Sequence, residues 1–259
     1  MKKIYALSKT LLISVIVIIG LNPQQTVQSQ QNNQTVRFVQ PILRRPPINR
    51  GAPTDRRGAG TRGECPAVSM ASTGLVPIVS SNNSKYVIGN TATEYPTFWF
   101  YIPYNAQNIN SVKFAVIDDK DQSLTKEPIP VNISGTPGII SFTLPKTEQP
   151  LKPGQDYHWY LLIDCNPQSR SEDVAIEGLV RLEPPDAEFK KRLEVATERE
   201  KAALYAQQGY WYDTITTLGI LRRQQPKDTT LIEDWKTLLN SQELTDIAAE
   251  PISPCCISN

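Results

Sequence analysis

The chain has one histidine, no Cys-x-x-Cys pair and no Gly-x-Ser-x-Gly segment. Each gap removes a class of chemistry. Zinc sites draw on clustered cysteine and histidine, which a lone His158 and scattered cysteines do not supply. Imidazole acid–base work near neutral pH has only His158 to call on. The strained serine turn of an α/β-hydrolase is missing. A formal Gly-x-Gly-x-x-Gly does occur, from Gly58 to Gly63, but an arginine- and proline-rich coil precedes it and Pro66 stands where a helix should begin. A dinucleotide fingerprint needs a strand before and a helix after, so this one is discounted. No catalytic residue, no metal and no cofactor is assigned. After Leu21 no apolar run is long enough to span a bilayer, which takes about 20 residues.

What is present begins with Lys2 and Lys3, followed by an apolar run from Leu11 to Leu21 broken by Ser14 and Gly20. That pattern reads as a secretory signal over residues 1–29, with a small-residue cleavage site at Val27-Gln28-Ser29. An uncleaved signal anchor is the alternative, and would be the chain's membrane contact. The expected location is therefore outside the cytoplasm, in the periplasm or cell envelope. In an oxidising compartment the four cysteines, Cys65, Cys165, Cys255 and Cys256, favour disulfides over free thiols. A bond between the neighbours Cys255 and Cys256 is strained. Each is therefore expected to reach back to Cys65 or Cys165 and staple the tail to the body.

Residues 30–64 form a basic arm. Between Gln30 and Arg62, arginines at 37, 44, 45, 50, 56, 57 and 62 face Asp55 alone, while Pro41, Pro46, Pro47 and Pro53 block helix. This composition predicts a solvated linker. The sharper reading is an arm in which Arg44, Arg45, Arg50, Arg56 and Arg57 adhere to anionic polymer, anionic lipid or the acidic remainder of the chain. Nucleic acid is excluded as a partner of an exported chain.

Residues 65–183 alternate like strands. Candidates are Leu75 to Val79, Thr97 to Ile102, Ser111 to Asp118, Gly138 to Leu144, Gln155 to Asp164 and Val174 to Leu182. Period-two patterning with turns between predicts an antiparallel sandwich. Residues 184–259 read as helices. The first runs from Asp186 to about Gln208, Gly209 breaks it, and a second carries Trp211, Ile215, Leu218 and Leu221. A third spans Leu231 to Asn240, with a short fourth over Ser241 to Ala249. Aromatic residues crowd two places, Phe98-Trp99-Phe100-Tyr101 and Tyr210-Trp211-Tyr212. Successive strand residues point to opposite faces, so some rings lie outside the sandwich. Trp99, Tyr101, Tyr210, Trp211 and Tyr212 then either seat the helices on the sheet or form an exposed partner-binding platform.

Three resemblances follow from these residues. Leu151-Lys-Pro-Gly-Gln-Asp-Tyr-His-Trp-Tyr resembles the late part of a fibronectin type III-like or immunoglobulin-like sandwich. Ala202, Tyr205, Gly209, Trp211 and Pro226 resemble one tetratricopeptide repeat, with Thr214 departing from its usual alanine. Over nearly the whole chain, the glycine-arginine approach to Cys65, Thr97-Phe-Trp-Phe-Tyr-Ile-Pro-Tyr, Tyr157-His-Trp-Tyr with Cys165, Gly209-Tyr-Trp-Tyr-Asp, Asp234-Trp235 and Cys255-Cys256 resemble a cyanobacterial family. It is number 928 among the domains of unknown function. That resemblance implies a cell-envelope setting in a photosynthetic bacterium and no known activity.

The fold class expected is α+β, an antiparallel immunoglobulin- or fibronectin-like β-sandwich followed by a C-terminal α-helical hairpin region. The function expected is a non-enzymatic binding or structural module of the envelope, with an envelope protein or polysaccharide as partner. The alternative is an envelope hydrolase of glycan or ester bonds, using His158 or carboxylates such as Asp118-Asp119 and Glu172-Asp173.

Overall fold

The computed structural model describes residues 35–42, 52–58, 65–81, 83–168 and 173–253. The signal segment, Arg44, Arg45, Arg50, Cys255 and Cys256 lie outside the described residues.

Among the described residues, nine strands and four α-helices give an α+β fold. The strands are β1 (Thr73–Gly74), β2 (Ile78–Ser81), β3 (Ser84–Thr91), β4 (Thr97–Ile102), β5 (Ser111–Ile117), β6 (Ile129–Pro130), β7 (Gly138–Thr143), β8 (Asp156–Asp164) and β9 (Val174–Leu182). They form a three-stranded sheet, β1-β4-β7, and a six-stranded sheet, β2-β3-β9-β8-β5-β6. Alternation explains the inner faces. Val112, Phe114 and Val116 of β5 are buried, as are Tyr157, Trp159, Leu161 and Ile163 of β8. Phe98 and Phe100 of β4 meet them, with Phe98 4.7 Å from Phe114 and Phe100 5.5 Å from Trp159 between ring centroids. One pair departs from the antiparallel expectation: β3 runs parallel to β9. β3 itself escapes the sequence pattern, because Ser84 and Lys85 open it with exposed polar side chains and Gly89 interrupts its apolar middle.

The helices are α1 (Ala187–Val195), α2 (Glu198–Gln207), α3 (Trp211–Gln224) and α4 (Thr229–Asn240). The single helix expected from Asp186 to Gln208 is two. Thr197 adopts extended backbone and starts a new helix through a capping box, its side chain accepting from the Glu200 N–H while Glu200 reaches back. Gly209 then turns the chain with φ +77°. An added Cβ there would meet the Val39 carbonyl and Pro41, so the turn needs glycine on both counts. The expected fourth helix over 241–249 is a run of turns instead, with Glu243 near its start in the left-handed region at φ 57°.

Sheets and helices share one hydrophobic core. α3 covers the outer face of the small sheet, where Trp99 lies 5.8 Å from Trp235 of α4 and its Nε1 donates to the Thr216 hydroxyl at 3.0 Å. The arm is part of this body over its described stretches, which corrects the solvated-linker expectation there. Val36 and Phe38 are buried, and the Val39 N–H donates to the Ala206 carbonyl at 2.9 Å. Phe38 meets Trp211 edge-on at 4.9 Å.

The disulfide expectation is corrected as well. Cys65 bonds Cys165, with 5.2 Å between Cα atoms and a sequence separation of 100. Cys65 approaches β1, and Cys165 directly follows β8, so the fold brings them within bridging distance. The tail is held by main-chain bonds instead: the Ile139 N–H donates to the Pro251 carbonyl and the Ser253 N–H to the Ile139 carbonyl, both at 2.8 Å. Residues 251–253 thereby cover the free edge of β7. Because the bridge closes a long loop in the unfolded chain, a Cys65→Ser/Cys165→Ser variant is expected to lose about 2–5 kcal/mol of stability. Urea titration with and without reductant measures it, and reductant should have no further effect on the variant from this bond.

Candidate functional site

The aromatic seam comes first because it positions everything else. Trp211 opens α3, is fully buried, and donates through Nε1 to the Leu75 carbonyl at 2.6 Å. Tyr212 follows and reaches between the sheets. Its hydroxyl accepts from Trp159 Nε1 at 2.7 Å and donates to the Leu179 carbonyl at 3.0 Å. Burial pushes this phenol far above its ordinary range. Tyr101 and Trp99 are 4% and 1% exposed, and Tyr210 is half-buried against Phe189 at 5.7 Å. An exposed platform of these five residues is therefore corrected. Trp99, Trp211 and Tyr212 join helix to sheet, because the outer face of a three-stranded sheet this apolar has to be covered.

A cavity of about 100 Å³ opens at the edge of that seam. The turn from β3 to β4 contributes Thr91, Thr93 and Thr97, while α2 and α3 contribute Tyr205, Tyr212, Asp213, Thr216 and Thr217. Asp213 lies in the first turn of α3. Its Oδ2 accepts the Ala92 N–H at 2.8 Å, and the Thr91 hydroxyl donates to it. Burial nevertheless lifts its pKa to about 6 against these hydrogen bonds. The sign follows. The folded chain holds this proton more tightly than the unfolded one, so the contribution is stabilising at acid pH and is lost as pH rises towards about 6. Asp213→Asn is expected to remove that loss, each pH unit in the window being worth up to about 1.4 kcal/mol. Urea midpoints of both proteins from acid to neutral pH test this: the two curves should converge at low pH and separate at neutral pH, with the variant higher.

On the outer face of the six-stranded sheet a second polar group forms. His158, 8% exposed, stacks on Tyr160 with centroids 4.1 Å apart. The Tyr160 hydroxyl bonds His158 Nδ1 at 2.7 Å, and His158 Nε2 bonds Glu177 Oε2 at 2.9 Å. Burial, then Glu177, pushes the Tyr160 phenol to about 12. Beside them Arg181 grips Asp156 through two nitrogens, Nη2 to Oδ2 at 2.9 Å, with side chains 6% and 2% exposed. Both groups follow from register, since Asp156 lies opposite Arg181 and Tyr160 opposite Glu177.

The basic-arm residues divide. Arg56 is buried, donating to the Val76 carbonyl at 2.8 Å and to the Gln242 carbonyl, and burial lowers its pKa to about 10. Arg57 pairs with Asp246 at 2.9 Å. Arg56 is thereby committed to the body, while Arg57 stays partly exposed in a surface pair. Sequence reasoning misses the Asp213 cavity. The available signal is an acidic residue two positions after a buried tryptophan, on a helix whose other charges are the arginines of its last turn.

A family model, Domain of Unknown Function (DUF928), matches residues 57–252. The chain belongs to that family. The DUF928 region takes in both sheets, all four helices, the cavity and the His158 group. Its first matched residue is Arg57, at the bridge to Thr73, and its last is Ile252, at the bridge to Ile139. No curated protein and no solved structure matches the chain. Among the described residues no helix is long and apolar enough to cross a membrane, and no three histidine, cysteine, aspartate or glutamate side chains gather as a metal site.

Proposed function

We propose that the chain is an exported, non-enzymatic module of the cell envelope that binds an envelope protein or polysaccharide. The Cys65–Cys165 bond carries the reading, because structural disulfides belong to oxidising compartments. The apolar run after Lys2 and Lys3 supports it from the sequence side. Binding is favoured over catalysis by the state of His158, whose two ring nitrogens are both engaged by Tyr160 and Glu177.

The proposal includes a finer fold. The order β1-β4-β7 against β6-β5-β8-β9 corresponds to strands A, B and E against C′, C, F and G of an immunoglobulin- or fibronectin type III-like sandwich. Tyr157 supports it: its hydroxyl accepts the Lys152 N–H at 3.0 Å, the corner expected of that tyrosine. The α2–α3 pair turning at Gly209 is the tetratricopeptide-like hairpin of the same reading, and a photosynthetic bacterium is the source it implies.

Non-reduced peptide mapping of the protein from its native cells tests the export claim. The expected result is loss of residues up to about Ser29 and a Cys65–Cys165 cross-link in the envelope fraction; an intact N-terminus with free thiols counts against it. The alternative, an envelope hydrolase, draws on the Tyr160–His158–Glu177 chain. Under it, His158→Ala abolishes turnover of an envelope glycan or ester while the fold persists; unchanged turnover removes His158.

A further inference from the structure

The cavity around Asp213 carries an inference independent of where the protein resides. We propose that it is a binding site for a primary ammonium group on a short carbon stem.

The charge balance points there. Asp213 accepts the Ala92 N–H, the Thr91 hydroxyl and its own backbone N–H, and a carboxylate has about four acceptor positions. Capacity for one further donor therefore remains on a half-buried acid. Among the described residues no lysine, arginine or histidine forms an ion pair with it. An ammonium head brings three donors. Threonine hydroxyls surround the acid on the cavity wall, at Thr91, Thr93, Thr97, Thr216 and Thr217. Three are already engaged elsewhere, Thr216 with Trp99 Nε1, Thr97 with Thr143 and Thr93 with the Tyr95 N–H. They fix the wall, while Thr217 remains as a neutral oxygen for the ligand's other donors.

Competing ligand classes fit less well. An anion meets the Asp213 carboxylate. A divalent cation prefers several carboxylate oxygens, and Asp213 is the one carboxylate on this wall. Size narrows the choice further. A volume of about 100 Å³ holds about three water-sized groups, which is one nitrogen and two carbons. The Tyr205 and Tyr212 rings and the threonine methyls give the carbons an apolar wall, and a tyrosine face near a cation adds attraction.

The test titrates the full chain with ethylammonium chloride by calorimetry, with ethanol as the neutral control and potassium chloride as the inorganic one. Saturable ethylammonium binding is expected, about tenfold or more weaker in Asp213→Asn as a charge-assisted contact is lost. Ethanol should give no binding. Equal affinity in Asp213→Asn, equal affinity for potassium, or no ethylammonium binding overturns the proposal. If Asp213→Asn does not fold, Thr217→Val replaces it, with amide shifts of Ala92 and Thr93 read by NMR during the titration. Shifts at those amides that weaken in the variant support the site, and their absence overturns it. Nα-acetyl-lysine methylamide separates the sources: binding with the same Asp213 dependence places the ammonium on a partner's lysine, and its failure beside successful ethylammonium assigns a free small amine.

Discussion

Trp159→Ala is expected to destabilise the protein by about 3–5 kcal/mol, the range for emptying a large aromatic site in a packed core. Trp159 is fully buried at the centre of the sandwich. Phe98 and Phe100 pack on it at 5.8 and 5.5 Å, and Gly74 and Gly178 leave the room its indole fills. These neighbours belong to both sheets, so none can close the gap without moving a strand. The hydrogen bond from Nε1 to Tyr212 is the smaller part, because a net bond is worth about 1 kcal/mol and Tyr212 keeps the Leu179 carbonyl. Two further variants separate the terms. Trp159→Phe keeps most of the volume and should cost clearly less than the alanine change. Gly178→Ala pushes a methyl into the indole and should be destabilising with every hydrogen bond kept. Guanidinium unfolding followed by tryptophan fluorescence reads all three. A cost under about 1 kcal/mol for Trp159→Ala would mean that the seam does not carry the core.

Arg181→Ala is expected to cost a similar amount for a different reason. It leaves the Asp156 carboxylate at 2% exposure with its two-point partner gone, and breaking a buried pair in this way costs about 3–5 kcal/mol. The pair itself is a weaker asset than that figure suggests, because both charges surrender hydration to form it. Replacing both, as in Asp156→Leu/Arg181→Met, should therefore restore most of what Arg181→Ala loses. A double-mutant cycle gives the coupling directly. If the single and double changes cost the same, the carboxylate is being solvated by another route.

Much of the sheet was legible in the sequence because period-two patterning needs only a half-buried strand. Tyr157, Trp159, Leu161 and Ile163 announce β8, and Val174 to Leu182 matches β9 residue for residue. β3 was not, since a strand that starts in solvent and ends beneath α3 shows no steady alternation. The parallel pairing of β3 with β9 is a tertiary choice that local pattern cannot encode. The helices were read with one error of continuity, at Thr197, where the cap depends on the spacing to Glu200 more than on hydrophobicity. The arm misled for a compositional reason. Two buried apolar residues, Val36 and Phe38, are outweighed in the count by proline, glutamine and arginine. The cavity was illegible because its threonines come from a turn and a helix over a hundred positions apart, and a polar residue at a strand end reads as solvated.

The docking of the arm also sets an order of events. Val36 donates to the Asp234 carboxylate across 198 positions, and Arg56 reaches Gln242 across 186. The arm thus waits for partners made nearly two hundred residues after it. On the ribosome, and at any narrow exit, the chain must keep Val36 and Phe38 unsheltered until α4 has emerged. Closure of this body follows the emergence of α4 and the residues behind it, with the slow search that such distant pairings impose.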